Sequence, residues 1–179
     1  MSIDAIIAAR VLHLRHQRGL SLAELAERAD VSKSMISKVE RGESSPTAAV
    51  LGRLAAGLGV PLSQLIGDEM EPPQRLTARA RQDVWQDPAT GYIRRQVSPA
   101  RDGVELVEVE LPAGAQISYP RWNTAPYRQY LWLVSGALRV EYGDEHFELN
   151  AGDCLDFGVD RNVMFAARDG CRYLLVMNV

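Results

Sequence analysis

Only two lysines, Lys33 and Lys38, accompany the 18 arginines of this 179-residue chain, and they lie five residues apart in one short segment. Around them Ser34, Ser37, Lys38 and Arg41 recur at i, i+3, i+4 and i+7, so a helix here would gather them into one small, polar, cationic stripe. Ile36 and Val39, three apart, would face away from that stripe into a core. Lys33 would stand at the helix N-terminus, where unpaired backbone N–H groups also favour an anion. Hydroxyls beside cations suit phosphates and base edges, so the chemistry on offer is non-covalent recognition of a polyanion. A merely solvated helical face would also be polar, but it gives no reason for both lysines to fall within it.

Helical periodicity surrounds the stripe. Ile3, Ile6, Ile7, Val11, Leu12 and Leu14 recur at helical spacing until Gly19. Ser21 with Glu24 three residues on forms a capping box for a second helix carrying Leu22, Leu25, Ala26 and Ala29. Ser32 caps a third helix, which Gly42 closes. Ser45-Pro46-Thr47 opens a fourth through Leu58, and Gly59-Val60-Pro61 leads to a last turn near Ile66. Two short helices joined by a tight turn within a small bundle form a helix-turn-helix, whose second helix is placed to enter a major groove. Residues 67–75, acidic and with adjacent prolines, read as a somewhat stiff linker.

Beyond the linker the period changes to two. Val107, Val109 and Leu111 alternate with Glu108 and Glu110, and the apolar run Gln129–Val134 suits a central strand ended by Ser135-Gly136. Leu138, Val140 and Tyr142 lead through Gly143-Asp144 to Phe147 and Leu149 as a hairpin, and shorter strands are predicted near 154–157, 163–167 and 171–177. Many short strands with close turns mean an all-β sandwich or barrel. The predicted division is 1–67 helical, 68–78 linker and 79–179 β.

Composition narrows the class. At 46% hydrophobic and 24% charged residues the chain reads as globular. No apolar run approaches the roughly 18–20 residues of a bilayer span, and Met1-Ser2-Ile3-Asp4 has no signal-like basic start. Cys154 and Cys171 are the only cysteines and neither lies in a CxxC, which speaks against a disulfide scaffold or a zinc ribbon. They are expected to be packed strand thiols rather than redox sensors, in a reducing, cytoplasmic setting. Residues 1–67 carry 8 Lys+Arg and 6 Asp+Glu, a net +2, whereas residues 68–179 carry 12 and 17, a net −5. Only the first third is expected to face a polyanion.

The segments Arg18-Gly19-Leu20-Ser21, Val31-Ser32-Lys33-Ser34, Ile36-Ser37, Glu40-Arg41-Gly42, Ser45-Pro46 and Leu58-Gly59-Val60 carry a specific resemblance. Over residues 10–66 the chain resembles the lambda-repressor-like (XRE) helix-turn-helix family. The resemblance implies that Lys33, Ser34 and Ser37 read base edges with Lys38 near the same groove. It implies that Ser21, Ser32, Arg41 and Ser44 hold phosphates, and that Arg15 and Glu24 tie the first helix to the second. Leu22 departs from the phage repressors, which often carry Gln there, so it is expected to touch a thymine methyl or simply to pack. With few cations per subunit, a dimer on half-sites about one helical turn apart is the expected DNA-binding unit.

Pro112-Ala113-Gly114, Gln129–Gly136, Leu149-Asn150-Ala151-Gly152-Asp153 and Phe157 resemble a cupin. The resemblance makes the fold class α+β with two domains: an N-terminal five-helix helix-turn-helix bundle and a C-terminal cupin-type double-sheet β-barrel, or jelly roll. Metal-binding cupins use two His and a Glu in a first motif and a His in a second. The matching positions here are Pro120, Trp122, Gln129 and Val163, so no metal and no cofactor are expected. Tyr119, Arg121, Trp122, Tyr127, Arg128 and Gln129 cluster in their place as a predicted organic-ligand pocket. Arg121 or Arg128 would clamp a carboxylate or phosphate, and the aromatic faces would hold a cation or a ring. The alternative is that these rings fill the barrel and leave the arginines outside.

Together the two resemblances point to the XRE–cupin regulators. The expected activity is that of a homodimeric, sequence-specific DNA-binding repressor whose metal-free barrel senses a small-molecule effector, with no membrane partner and no catalysis. Two rivals stand beside it: a regulator whose barrel only dimerises, and a cupin enzyme tethered to a DNA-binding domain.

Overall fold

The computed structural model describes residues 2–66, 75–98, 103–122 and 128–178. Residues 68–74 of the predicted linker, and Tyr127, lie outside the described residues. Five helices come first: α1 (Ile3–Gln17), α2 (Leu22–Ala29), α3 (Lys33–Glu40), α4 (Ala48–Leu58) and α5 (Ser63–Ile66). Hydroxyls start the first four by accepting an orphan backbone N–H, from Ser2, Ser21, Ser32 and Thr47. Ser21 and Glu24 complete the capping box in both directions. Ile7, Val11, Leu25, Ile36, Leu51, Leu54, Leu58 and Leu65 are fully or almost fully buried and form the core that braces α3.

Nine strands follow: β1 (Val84–Gln86), β2 (Ile93–Gln96), β3 (Val104–Leu111), β4 (Gln116–Tyr119), β5 (Gln129–Tyr142), β6 (Glu145–Asn150), β7 (Cys154–Phe157), β8 (Val163–Ala166) and β9 (Cys171–Asn178). They pair antiparallel in the order β1-β2-β3-β9-β5-β8-β4, with β6 and β7 also on β5, and curl into a half-barrel. Alternation sets the faces: Val107, Val109 and Leu111 of β3 point inward while Leu106, Glu108 and Glu110 point out.

The strand expected to end at Ser135-Gly136 instead runs on for 14 residues and bends there. Its first half pairs with β9 and β7, its second with β6 and β8, and the register shifts between Leu133 and Ser135. Gly136 has φ +83°, and a Cβ on it would meet Gly170 O at 2.4 Å, so the corner requires glycine.

The β part touches α4 in two places. Asp87, buried in the turn after β1, accepts the Ala48 N–H at 2.8 Å and the Thr90 N–H at 2.9 Å. A carboxylate at a helix N-terminus satisfies an orphan donor and complements the helix dipole. Further along α4, Gly52 lies flat against the ring of Tyr119 on β4.

Candidate nucleic-acid interface and barrel cavity

Helix α3 displays its stripe as its spacing demands. Lys33, Ser34, Lys38 and Arg41 are exposed, Ser37 is half-buried, and Ile36 and Val39 are buried beneath. Ser32 Oγ accepts the Met35 N–H at 3.2 Å and lies 3.1 Å from Ser34 Oγ, which fixes the helix tip. Ser21 is exposed at the start of α2 and Ser44 is half-buried after α3. Leu22 is half-buried and packs on the core.

Arg41 is not idle in this state. Its Nε and Nη2 donate to the two carboxylate oxygens of Glu43 at 2.6 and 2.7 Å, and Nη1 donates to Ser37 Oγ. The Arg41 guanidinium holds the Glu43 carboxyl below the usual carboxylate range, with Lys38 acting in the same direction. Glu43→Gln is therefore expected to raise affinity for any duplex severalfold, because it frees Arg41 and removes a surface anion beside the α3 stripe. Fluorescence anisotropy on unrelated duplexes reads this; an unchanged or weaker affinity would show that Glu43 presents Arg41 instead of restraining it.

Arg15 pairs differently from the expectation. Glu24 is turned back to the Ser21 N–H at 2.8 Å, so it does not meet Arg15. Arg15 instead grips Glu40 at the end of α3 through Nε at 2.6 Å and Nη2 at 2.8 Å, and its Nη1 donates to Leu20 O at 2.9 Å. The two side chains are only 9% and 7% exposed, so this bidentate pair locks α3 to α1 from the inside. Removing one partner strands a charge, and Arg15→Ala is expected to cost about 3 kcal/mol of stability. Urea unfolding measures it, and a loss below about 1 kcal/mol, the range of surface pairs, would mean the bridge is solvent-screened.

Inside the curled sheet lies a cavity of about 50 Å³. Pro120, Trp122, Gln129 and Val163, the four positions that match cupin metal ligands, all line it. They offer no imidazole and no carboxylate, so they do not fit a first-row divalent ion. Among the described residues no three His, Cys, Asp or Glu side chains converge; His13, His16 and His146 are exposed on α1 and β6.

The predicted pocket residues divide. Tyr119, Trp122 and Gln129 line the cavity, but Arg121 and Arg128 do not. Arg121 is exposed, and Arg128 is exposed and paired with Asp156 on the outer surface. Rows of alternating residues place them on the far side from the cavity. Two other guanidinium side chains line it, buried Arg94 of β2 and exposed Arg161, with Tyr92 before β2 and Tyr173 of β9. These were missed because β2 reads as polar, Arg94-Arg95-Gln96, with no apolar member on the buried parity. Packed rings fill much of the interior: Phe165 lies 5.9 Å from both Phe157 and Tyr173 and 6.4 Å from Tyr119, centroid to centroid. Cys171 is buried and its thiol is pushed up to about 11 by burial, which keeps it unreactive, while Cys154 is exposed.

A braced helix-turn-helix joined to a cupin-like half-barrel defines a DNA-binding regulator class. Residues 12–65 match the helix-turn-helix family HTH_3. The chain is 31% identical over 161 residues to the HTH-type transcriptional regulator SutR of Escherichia coli K12, covering 89% of this chain and 85% of that one. It therefore belongs to the XRE-type HTH transcriptional regulators. A solved HTH_3 family transcriptional regulator from Vibrio cholerae superposes with a TM-score of 0.81 at 26% identity, over 99% of this chain and 97% of that one. An RmlC-like cupin from Shewanella frigidimarina superposes at TM-score 0.50 and 15% identity, over 60% of this chain and 93% of that one, which supports the cupin fold of the β part.

Proposed function

We propose that this regulator represses transcription as a homodimer, reading an operator through Lys33, Ser34, Ser37 and Lys38. Ser21, Ser32, Arg41 and Ser44 hold phosphates. The helical residues 1–67 act as the DNA-binding domain and 79–179 as a cupin-type double-sheet sensor and dimerisation domain. The observation that carries the sensing half is the position of Tyr119, which lines the cavity and also bears on Gly52 of α4. Cavity occupancy and the seating of α4, a helix of the DNA-binding part, thus meet in one side chain. An effector that binds the two seatings unequally shifts operator affinity by that difference.

The dimer reading rests on the outer face of β3, β9 and β5. Leu106, Val176 and Tyr130 form one apolar cross-strand row, and Leu174 and Trp132 lie in the next, which ends on Glu108 of β3. Tyr130 is 46% and Trp132 49% exposed, beside Val104 at 61%. Exposed aromatic and aliphatic residues gathered on a sheet and rimmed by charge, here Glu108 with Arg95 and Arg172, mark an interaction face. A second reading, a barrel that only dimerises, is favoured by the small cavity and its packed rings.

Selection of duplexes from a random pool tests the DNA half. The full chain is expected to enrich paired half-sites centred about 10 base pairs apart, and Lys33→Ala to lose about 1–3 kcal/mol of discrimination at one base. Enrichment of no sequence would refute operator reading.

A further inference from the structure

We infer that the barrel cavity takes the carboxylate of a short-chain organic acid, bound by the guanidinium of Arg94 and the hydroxyls of Tyr92, Tyr119 and Tyr173. This deepens, and rests on, the sensing reading above. Arg94 is only 4% exposed and lines the cavity together with the three phenols and the amide of Gln129. Burial keeps the Tyr119 and Tyr173 hydroxyls well above the usual phenol range, so both stay protonated as donors, and the Arg94 charge acts on both in the opposite direction. One buried cation therefore stands within electrostatic reach of two neutral donors. Tyr119 and Tyr92 meet hydroxyl to hydroxyl at 3.5 Å, a weak contact that leaves hydrogen-bonding capacity on each.

One buried acid shares the inner surface. Glu105 lies on β3 opposite Met177, four residues along that strand from Val109, the partner of Arg94. A guanidinium has five N–H donors and a bidentate carboxylate uses two, so one protein partner does not exhaust the Arg94 side chain. Arg161 at the cavity lining is exposed and paired with Glu145 at 2.6 Å, so it adds little to the interior field.

Volume and lining set the rest of the ligand. A cavity of about 50 Å³ holds roughly three to five waters at 10–15 Å³ each, or an organic acid of about four to six non-hydrogen atoms. Phe157, Phe165, Leu175 and Met177 are among the apolar lining residues and suit a short alkyl tail, not the bare oxygens of phosphate.

Sodium propionate and its neutral isostere propionamide are the probes, titrated into the full chain by calorimetry and by the methyl resonance of Met177. Propionate is expected to bind at least about tenfold more tightly than propionamide, the worth of one charge-assisted hydrogen bond. Arg94→Met is expected to erase the preference. The wild-type comparison stands alone if that variant does not fold. Equal binding of both probes overturns the carboxylate assignment while leaving a sensing pocket in place. Binding of neither overturns the assignment, and an operator affinity that then still responds to a neutral metabolite shows that sensing itself survives. Propionate binding by Arg94→Met equal to wild type also overturns it.

Discussion

Trp132→Glu is expected to give a monomer whose affinity for a two-half-site operator is about 100-fold lower or worse. The side chain stands on the outer face of β5, between Leu174 of β9 and Cys154 of β7 in the same row. A carboxylate there would have to be desolvated against apolar neighbours of a second copy, unpaired. The fold should survive, because the inward residues Leu131 and Leu133 keep their burial and the backbone ladder is untouched. The operator effect is large because one helical part holds a net charge of only +2, so a single half-site is weak. Losing the second engagement forfeits the roughly 10²–10⁴-fold gain of bivalency. Sedimentation velocity and operator titration are read together. A variant that stays dimeric places the interface elsewhere, and a monomer with full operator affinity removes the need for a dimer.

Gly52→Ala tests the joint between barrel and helix. By propensity alone the substitution stabilises α4 by up to about 1 kcal/mol. Its Cβ, however, would stand 2.3 Å from Tyr119 Cδ1 and 2.9 Å from Cε1, so the ring or the helix must move. The ring packs edge-on against Phe165, and overpacking of this kind costs about 1–3 kcal/mol. The helix is therefore expected to lift from the barrel, stretching the Ala48–Asp87 hydrogen bond. Hydrogen exchange at the Ala48 amide should speed up by about tenfold or more, while amides of α1 stay protected. An unchanged Ala48 amide would mean that the ring yields into the cavity alone, and the coupling through Tyr119 would be lost.

What was legible in the sequence follows the reach of the rule that reads it. Ser21 with Glu24, Ser32 and Thr47 start helices where expected, because a cap acts within three residues of itself. Counting from Gly114, Gly136 and Asp160 brings Pro120, Trp122, Gln129 and Val163 around one cavity, since turn spacing fixes the register of neighbouring strands. Arg94 was invisible for the opposite reason. Its parity neighbours Tyr92 and Gln96 are polar-tipped, so alternation reads their face as outward, and only pairing with β3 turns it in. Arg128 failed as a pocket residue because Asp156, its partner, lies on β7 directly across from Tyr130, on the outer face. The Arg15–Glu40 bridge spans 25 residues and two helices, beyond any local pattern.

The Arg41–Glu43 fork has a consequence for how binding responds to salt. A solvated arginine on a DNA-binding surface gathers no fixed anion, and the ions that leave on binding come from the condensed atmosphere of the duplex, which supplies the entropy that salt titrations count. Glu43 is a counterion tied to the chain. In the proposed complex a phosphate would displace it, and the carboxylate would stay near that backbone and recruit a cation of its own. Part of the entropy that the Arg41 contact would release is thus returned. The salt slope of operator binding should fall short of the number of phosphates touched by about one per subunit, so that a cationic contact present in the complex goes uncounted by the thermodynamics that is meant to count it.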